Sequence, residues 1–223
     1  MIHAIAEGAV IRAGMVIVDI GCGNGLFIST LASRYGITGY AVDSDPGCCE
    51  RATEQIRRAG STDAIQVVCA DATTWQLPYG VVPDIICALG VSHIWNGTLP
   101  TLEALILRAS EKTSIILGDR YWRHGIVPHE YASQWADVQS EYAISRYARE
   151  QGYFLSRIER STEQDWDRYE SAIWQECCHW IKNHPDHPDT DDIYEYYCNI
   201  QDEYMAYGRE HMGWALFLFE PFL

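Results

Sequence analysis

The sequence predicts an α/β fold: a doubly wound, mostly parallel seven-stranded sheet with a helical insertion before the last strand. Short apolar runs alternate with stretches of helical periodicity through the first 120 residues. That alternation is typical of βαβ units and of a sheet covered on both faces. The first run, "VIVDI", stops at three closely spaced glycines, which indicates a buried strand, a tight loop and a helix. Right-handed crossovers then favour the doubly wound arrangement.

The elements follow in a regular order. Strands are predicted at residues 15–19, 39–42, 65–69, 85–88 and 114–117, and helices at 5–12, 24–35, 48–58 and 101–109. After Asp119 we expect an aromatic loop, "RYWRHGIVPHEY", a helix over 134–151 and a strand, "YFLSRIERS". Two amphipathic helices follow. The first begins at Ser161–Thr162, and the segment "NHPDHPD" separates it from the second. A last apolar strand, "WALFLFEPF", comes after them. We expect one domain over 1–223, with 14–119 and 120–212 as its two functional halves and 161–212 as the helical insertion.

The charge of the chain disfavours whole classes of partner. Sixteen basic residues face 31 acidic ones, for a formal net charge of −15. Binding to nucleic acid or to anionic lipid needs clustered Lys and Arg, so neither is expected. No apolar run approaches the ~20 residues that cross a bilayer, and the N-terminus does not resemble a signal peptide. We expect a soluble, cytoplasmic protein, with monomer and homodimer both left open.

The cysteines predict no metal site. There are eight, yet no C-x-x-C pair occurs, which argues against a zinc ribbon or a redox motif. Cys69 and Cys87 fall in strands that we expect to be buried, where a free cysteine acts as a small apolar side chain. One segment, "CCHWIKNHPDHPD", offers a conceivable ligand set in Cys178, His179, His184 and His187. A proline-broken polar turn between two helices is the preferred interpretation.

The glycine loop after the first strand indicates a ligand. Glycines are used where a backbone turns sharply or lets a ligand come close. The dinucleotide pattern G-x-G-x-x-G requires a glycine at position 26, where this chain has Leu26. Pyrophosphate binding is therefore disfavoured, and the absence of G-K-[ST] in the sequence excludes a P-loop.

The spacing D-x-G-x-G-x-G, from Asp19 to Gly25, resembles motif I of the class I methyltransferases that use S-adenosylmethionine (SAM). The likeness continues in order through "AVDSD", "CADAT", "DIICALGVSHIW" and "IILGDRYW", over about half of the chain. Within that superfamily, "GVSHIWNG", "EQDWDRYE" and "GWALFLF" resemble a group of small bacterial methyltransferases, a likeness that names no acceptor. The resemblance implies a methyltransferase that uses SAM and releases S-adenosyl-L-homocysteine. Residues 14–119 would then be the SAM-binding half, and 120–212 the acceptor-binding and lid half.

The resemblance also implies a set of cofactor-binding residues. Asp43 would accept hydrogen bonds from the ribose hydroxyls, Asp71 would meet the adenine amino group, and Ala72 would supply a backbone N–H. The apolar side chain of Leu89 would cover the adenine or the methionyl chain. The full set expected from the matched motifs is Asp19, Gly21, Cys22, Gly23, Asp43, Ser44, Asp71, Ala72 and Leu89.

The acceptor side is predicted from position and residue type. His93, just beyond the fourth strand, is the candidate base, and Asp119 is a candidate for orienting an acceptor amine or hydroxyl. Aromatic faces near carboxylates attract cations, so an acceptor that carries positive charge is one expectation. The candidate binding residues are Tyr121, Trp122, His124, Trp166 and Tyr169. The alternative is that these aromatics form the core of the helical pair.

Two functions follow from different classes. The first is methyl transfer to a small molecule, with an amine nitrogen slightly favoured over a hydroxyl oxygen. The second is a non-catalytic SAM-binding protein that uses the helical pair as a partner surface.

Overall fold

Parallel strands and helices alternate through the first half of the chain in the computed structural model, which describes residues 1–222. In order they are α1 (Ile2–Gly8), β1 (Val16–Ile20), α2 (Leu26–Tyr35), β2 (Thr38–Asp43), α3 (Pro46–Arg58), β3 (Ile65–Cys69), β4 (Ile85–Leu89), α4 (Thr98–Ile106) and β5 (Ser114–Trp122). The five strands pair in parallel in the order β3-β2-β1-β4-β5. Their carboxyl ends therefore share one edge of the sheet. Each predicted strand and helix of this half has a counterpart, although the bounds of the first helix and of the fifth strand differ.

The second half adds helices and completes the sheet. Its elements are α5 (His129–Ala132), β6 (Gln139–Ser140), α6 (Glu141–Glu150), β7 (Tyr153–Arg160), α7 (Glu163–Asn183), α8 (Thr190–Glu203) and β8 (Met212–Pro221). The main sheet of the described chain has seven strands, β3-β2-β1-β4-β5-β8-β7, as predicted. The two-residue strand β6 pairs with β5 outside this path. The sheet is mostly parallel, and β8 lies between β5 and β7.

Two predicted helices differ from the structure. The helix expected over 134–151 begins only at Glu141, because the Ser140 hydroxyl accepts the N–H of Ala143 at 3.2 Å and so caps α6. The first helix ends at Gly8 instead of residue 12, since Val10 adopts a left-handed backbone with φ of 50°. Residues 134–139 form a 3-10 turn and the start of β6 instead of helix.

Strand β5 is longer than the sequence indicates. The sequence predicts its end at residue 117, but the strand continues to Trp122. Buried residues fill positions 115–119, and Tyr121 is buried as well, so Asp119 and Tyr121 both lie in buried surroundings. The aromatic loop expected to begin at Arg120 therefore begins after the strand.

The chain divides into two compact units. Unit 1 comprises Met1–Tyr121, Asp137–Glu159 and the residues from Trp214 onward; unit 2 comprises Trp122–Ala136 and Arg160–Gly213. Apolar clusters cover the two faces of the sheet in unit 1. Cys87 is buried there as predicted, but Cys69 is exposed, so its predicted burial was wrong: it closes β3, the edge strand of the sheet.

Unit 2 is built on the pair α7 and α8. Thr162 caps α7 through a reciprocal capping box with Asp165, which confirms the predicted helix start. Between α8 and β8 the backbone forms a π-helical turn, Tyr204–Gly208. Tyr207 of this turn stacks on Tyr131 with ring centroids 5.1 Å apart. Across residues 1–222, no helix combines the length and the apolar character that crossing a membrane demands.

Candidate functional site

The loop after β1 is shaped by its glycines. Gly21 and Gly23 have φ of 69° and 55°, values that side-chain-bearing residues adopt only at a cost. A Cβ on Gly21 would lie 2.5 Å from Cγ1 of Val91, so the loop packs tightly there. A Cβ on Gly23 would meet nothing within 4 Å. Gly21 is therefore required by packing, whereas Gly23 leaves open space beside the loop.

Asp43 ends β2 and holds that loop. Its Oδ2 accepts the backbone N–H of Gly23 at 2.8 Å, and its Oδ1 accepts the N–H of Asp45 at 3.0 Å. Each carboxylate oxygen accepts more than one hydrogen bond, so capacity for a ligand remains. The neighbouring Ser44 is exposed, and Cys22 is buried within the loop.

Asp19 is a buried carboxylate with no hydrogen-bond partner in the part of the chain that the structure describes. Its residue is 2 % exposed, and burial together with the negative charge of Asp43 raises its pKa to about 7. Burying an unpaired charged group is costly. A ligand that carries positive charge or donates a hydrogen bond would offset that cost. Asp19 is therefore a candidate to bind such a ligand.

The loop after β3 presents one acceptor and one donor. Oδ1 of Asp71 accepts both the hydroxyl of Thr73 at 2.7 Å and its N–H at 2.8 Å, and these bonds lower the pKa of Asp71. Ala72 is buried, and its N–H has no acceptor among residues 1–222. Leu89 is half-buried where β4 ends. Because the strands are parallel, the ends of β1 to β4 bring the predicted cofactor residues to the same edge.

The predicted base lies on a short turn after β4. Residues Ser92–Trp95 form a 3-10 turn, and His93 is its exposed residue. No side-chain hydrogen bond fixes the imidazole within the described chain. His93 is therefore accessible to a reactant at the end of β4, as a base has to be.

Asp119 holds the turn and the start of α4. Its carboxylate accepts the hydroxyl of Thr98 at 2.7 Å, the hydroxyl of Ser92 at 3.2 Å and the N–H of Arg120 at 2.8 Å. Burial raises its pKa, although these hydrogen bonds oppose the shift. The orienting of an acceptor by Asp119 stays a prediction, and the residue is 3 % exposed, with its oxygens used by the protein. It positions the turn that carries His93.

The five predicted acceptor-binding residues are divided between the two units. Tyr121 is buried in the core of unit 1, edge-on to Phe217 at 6.2 Å, because β5 extends past it. Its role in binding an acceptor stays a prediction, and the contact described for its ring is a packing contact. The other four lie in unit 2: Trp122 packs on Tyr131, His124 on His211, and Trp166 on Tyr169.

His124 lines a cavity of about 420 Å³ within unit 2. The side chains that share it are Arg123, Glu163, Met205, Ala206, Arg209 and Glu210. Glu163 lies 3.4 Å from the Arg123 guanidinium and 3.3 Å from that of Arg209. The cavity therefore presents both signs of charge, which does not favour the cationic acceptor expected from the sequence. The sequence analysis did not identify these two arginines, because isolated basic residues carry no signal of a site in the sequence.

The histidine-rich turn between α7 and α8 is packed on an aromatic ring. His184 stacks on Trp180 with centroids 4.7 Å apart, and His187 meets the same ring edge-on at 5.1 Å. Within residues 1–222, no group of three or more His, Cys, Asp or Glu side chains is arranged to hold a metal ion.

Comparisons with known proteins point to the part of the chain that holds the predicted cofactor residues. A family model described as "Methyltransferase domain" matches residues 17–111. YjhP of Escherichia coli is 24% identical over 211 residues, which is 92% of this chain and 84% of YjhP. The crystal structure of YjhP has a TM-score of 0.89 to this chain and covers 99% of it and 91% of YjhP, at 22% identity.

Two further structures combine the fold with a bound product. SAM-dependent methyltransferases from Geobacter sulfurreducens and Thiobacillus denitrificans, each in complex with S-adenosyl-L-homocysteine, are 22% and 21% identical to this chain. Both have a TM-score of 0.88, covering 99% of this chain and 90% of the other. Residues 17–111 thus match a methyltransferase domain, and the chain has the fold of these SAM-dependent methyltransferases.

Proposed function

We propose that this protein transfers the methyl group of SAM to a small molecule, with an amine nitrogen favoured over a hydroxyl oxygen. One observation carries the proposal: Asp19, buried and without a protein partner among the described residues, lies close to Asp43 beside an open glycine loop. A nucleoside that also carries an ammonium group suits such a pair of carboxylates. The two bacterial relatives bound to S-adenosyl-L-homocysteine support this choice of ligand.

Each part of the cofactor has a matching residue. Asp19 would pair with the methionyl ammonium, and Asp43 would accept the two ribose hydroxyls in charge-assisted hydrogen bonds. Asp71 would accept the adenine amino group, while the free N–H of Ala72 would donate to the neighbouring ring nitrogen. Leu89 would supply an apolar surface. Gly23 leaves room for the ligand to approach the backbone.

The protein's part in the reaction is alignment and proton removal. Bound SAM supplies a methyl group on a sulfonium, which is already activated for in-line displacement. Alignment of the acceptor and exclusion of water then account for most of the rate. The exposed His93 is placed to take a proton from an acceptor that arrives protonated. Asp119 keeps the His93 turn in place through Ser92 and Thr98.

A labelling experiment tests this function. The purified protein is incubated with SAM carrying a deuterated methyl group and with an extract of its host cells, and the products are separated by mass spectrometry. Label in one small metabolite supports the proposal and identifies the acceptor. Label in protein or RNA overturns the small-molecule assignment. His93→Gln should bind S-adenosyl-L-homocysteine as the wild type does while losing most of the label transfer.

A second candidate is a SAM-binding protein that acts through α7 and α8. The observation in its favour is that Tyr169, Tyr194 and Tyr196 are 61%, 59% and 52% exposed on these helices. Tight binding of SAM without label in any product would favour this candidate. Label transfer to any product by the wild type would argue against it.

A further inference from the structure

Arg108, just beyond α4, contacts the adenine-side loop. Its Nη2 donates to the carbonyl of Ala72 at 2.8 Å and lies 3.4 Å from that of Thr73, and its Nη1 donates to the carbonyl of Ala104 at 2.8 Å. The residue is partly buried and has no carboxylate partner among the ion pairs of the described chain. A guanidinium in that position contributes geometry more than charge, because its planar fork fixes two acceptors at once.

The peptide group between Ala72 and Thr73 is held from both sides. Arg108 donates a hydrogen bond to the carbonyl oxygen of this peptide, and Oδ1 of Asp71 accepts one from its N–H at 2.8 Å. Fixing this one peptide plane therefore orients the Asp71 carboxylate. It also fixes the residue whose N–H is left free for a ligand.

The same guanidinium contacts the acceptor-side turn. Its Cζ lies 5.5 Å from the centroid of the Trp95 ring, within the range of a cation–π contact. Trp95 ends the 3-10 turn that carries His93. One side chain thus contacts the loop after β3 and the turn after β4.

We propose that Arg108 is a positioning residue that sets adenine specificity and couples the adenine-side loop to the turn bearing His93. The inference rests on the proposed function. Adenine presents an amino donor and a ring-nitrogen acceptor, which match Asp71 and the Ala72 N–H. Hypoxanthine presents an oxygen acceptor and an N–H donor and so reverses both. Discrimination between the two bases reports directly on how firmly this peptide is held.

Calorimetric binding of S-adenosyl-L-homocysteine and S-inosyl-L-homocysteine tests the inference without any knowledge of the acceptor. The wild type should prefer the adenosyl compound by roughly 100-fold, as expected for two reversed hydrogen bonds. Arg108→Lys keeps the charge but loses the fork. It should weaken the adenosyl compound roughly 10-fold and leave the inosyl compound within about 2-fold. Arg57→Lys, which alters an exposed ion pair on α3, is the matched control and should change neither affinity.

Coupling to the turn is measured with Trp95→Leu. This change should weaken the adenosyl compound about 3-fold in the wild type and have no further effect in Arg108→Lys. Equal weakening of both compounds by Arg108→Lys, or additive effects of the two changes, would overturn the inference. If Arg108→Lys does not fold, the test rests on Trp95→Leu alone. In that variant, an unchanged ratio of the affinities for the adenosyl and inosyl compounds would refute the coupling. A wild type that binds neither compound would refute the proposed function itself.

Discussion

The backbone N–H of Gly23 donates to Oδ2 of Asp43 at 2.8 Å, so the carboxylate that ends β2 holds the glycine loop that follows β1. The first prediction concerns this bond. Asp43→Ala removes both the tether and the proposed ribose contacts, and we expect the affinity for S-adenosyl-L-homocysteine to fall at least 100-fold by calorimetry. Asp45→Ala is the control: it removes the cap of α3 and should lower stability by about 1 kcal/mol with little effect on affinity. Equal losses of affinity in the two variants would contradict the assignment.

The second prediction concerns Asp19 and stability. The pKa of Asp19 is raised from 3.8 to about 7 by burial and by Asp43. Between these values the folded state holds a proton that the unfolded state has released, so stability falls as pH rises from about 4 to about 7 and is level above that. The full effect is roughly 4 kcal/mol. We expect Asp19→Asn to be more stable than the wild type at pH 8, and the difference to disappear near pH 4 in denaturant titrations.

The same group predicts a pH-dependent affinity. An ammonium ligand pairs with ionised Asp19, so binding of S-adenosyl-L-homocysteine by the wild type should strengthen as pH rises through about 7. Asp19→Asn should bind weakly and show little of that dependence. An affinity that is flat from pH 6 to pH 8 in the wild type would refute the pairing.

The third prediction separates two effects of an alanine at Gly23: the cost of its left-handed backbone conformation and the blocking of space proposed for the ligand. Gly14 and Gly23 both have positive φ, of 84° and 55°, and a Cβ added to either would meet no atom within 4 Å. Alanine at either position should cost about 1 kcal/mol of stability. Only Gly23→Ala should also weaken S-adenosyl-L-homocysteine, by more than 10-fold, because its Cβ would fill space proposed for the ligand. Thermal unfolding and calorimetry on both variants provide the comparison.

The fourth prediction concerns the buried carboxylate of Asp119. Thr98→Val removes the hydroxyl that donates at 2.7 Å and leaves a buried carboxylate short of one donor, which should lower stability by about 1–3 kcal/mol. Thr98→Ser keeps the donor and should restore most of it. If Asp119 positions the His93 turn, Thr98→Val should lower kcat more than it changes cofactor affinity. A loss confined to cofactor affinity would refute that role.

The sequence predicted the parallel half of the fold well because its signals are local there. The run from Val16 to Ile20 and the glycines after it determine a strand and a loop without help from distant residues. The predicted ends of helices were wrong where a capping side chain or a left-handed backbone conformation sets the end, as at Ser140 and Val10. The extension of β5 to Trp122 also escaped prediction, since an aspartate and an arginine in a strand resemble a loop.

The site was predictable as far as position along the chain defines it. Strand ends of a parallel sheet meet at one edge, so the places of Asp19, Asp43 and Asp71 follow from the topology. Burial is a tertiary property, and the isolation of Asp19 and the use of Asp119 by Ser92 and Thr98 appear only in three dimensions. The role of Arg108 could not be predicted for the same reason, because its partners Trp95 and Ala72 lie 13 and 36 residues away along the chain.

The position of β8 between β5 and β7 determines when the sheet can be completed during synthesis. A nascent chain that has emerged as far as β7 exposes one edge of β5, and β7 has no neighbour in the main sheet. Its missing partner, residues 212–221, includes five consecutive buried apolar residues from Ala215 to Phe219. At typical elongation rates, the residues from 123 to 221 take on the order of 10 s to make. Throughout that interval the open edge is available to chaperones, and to other nascent chains of the same polysome.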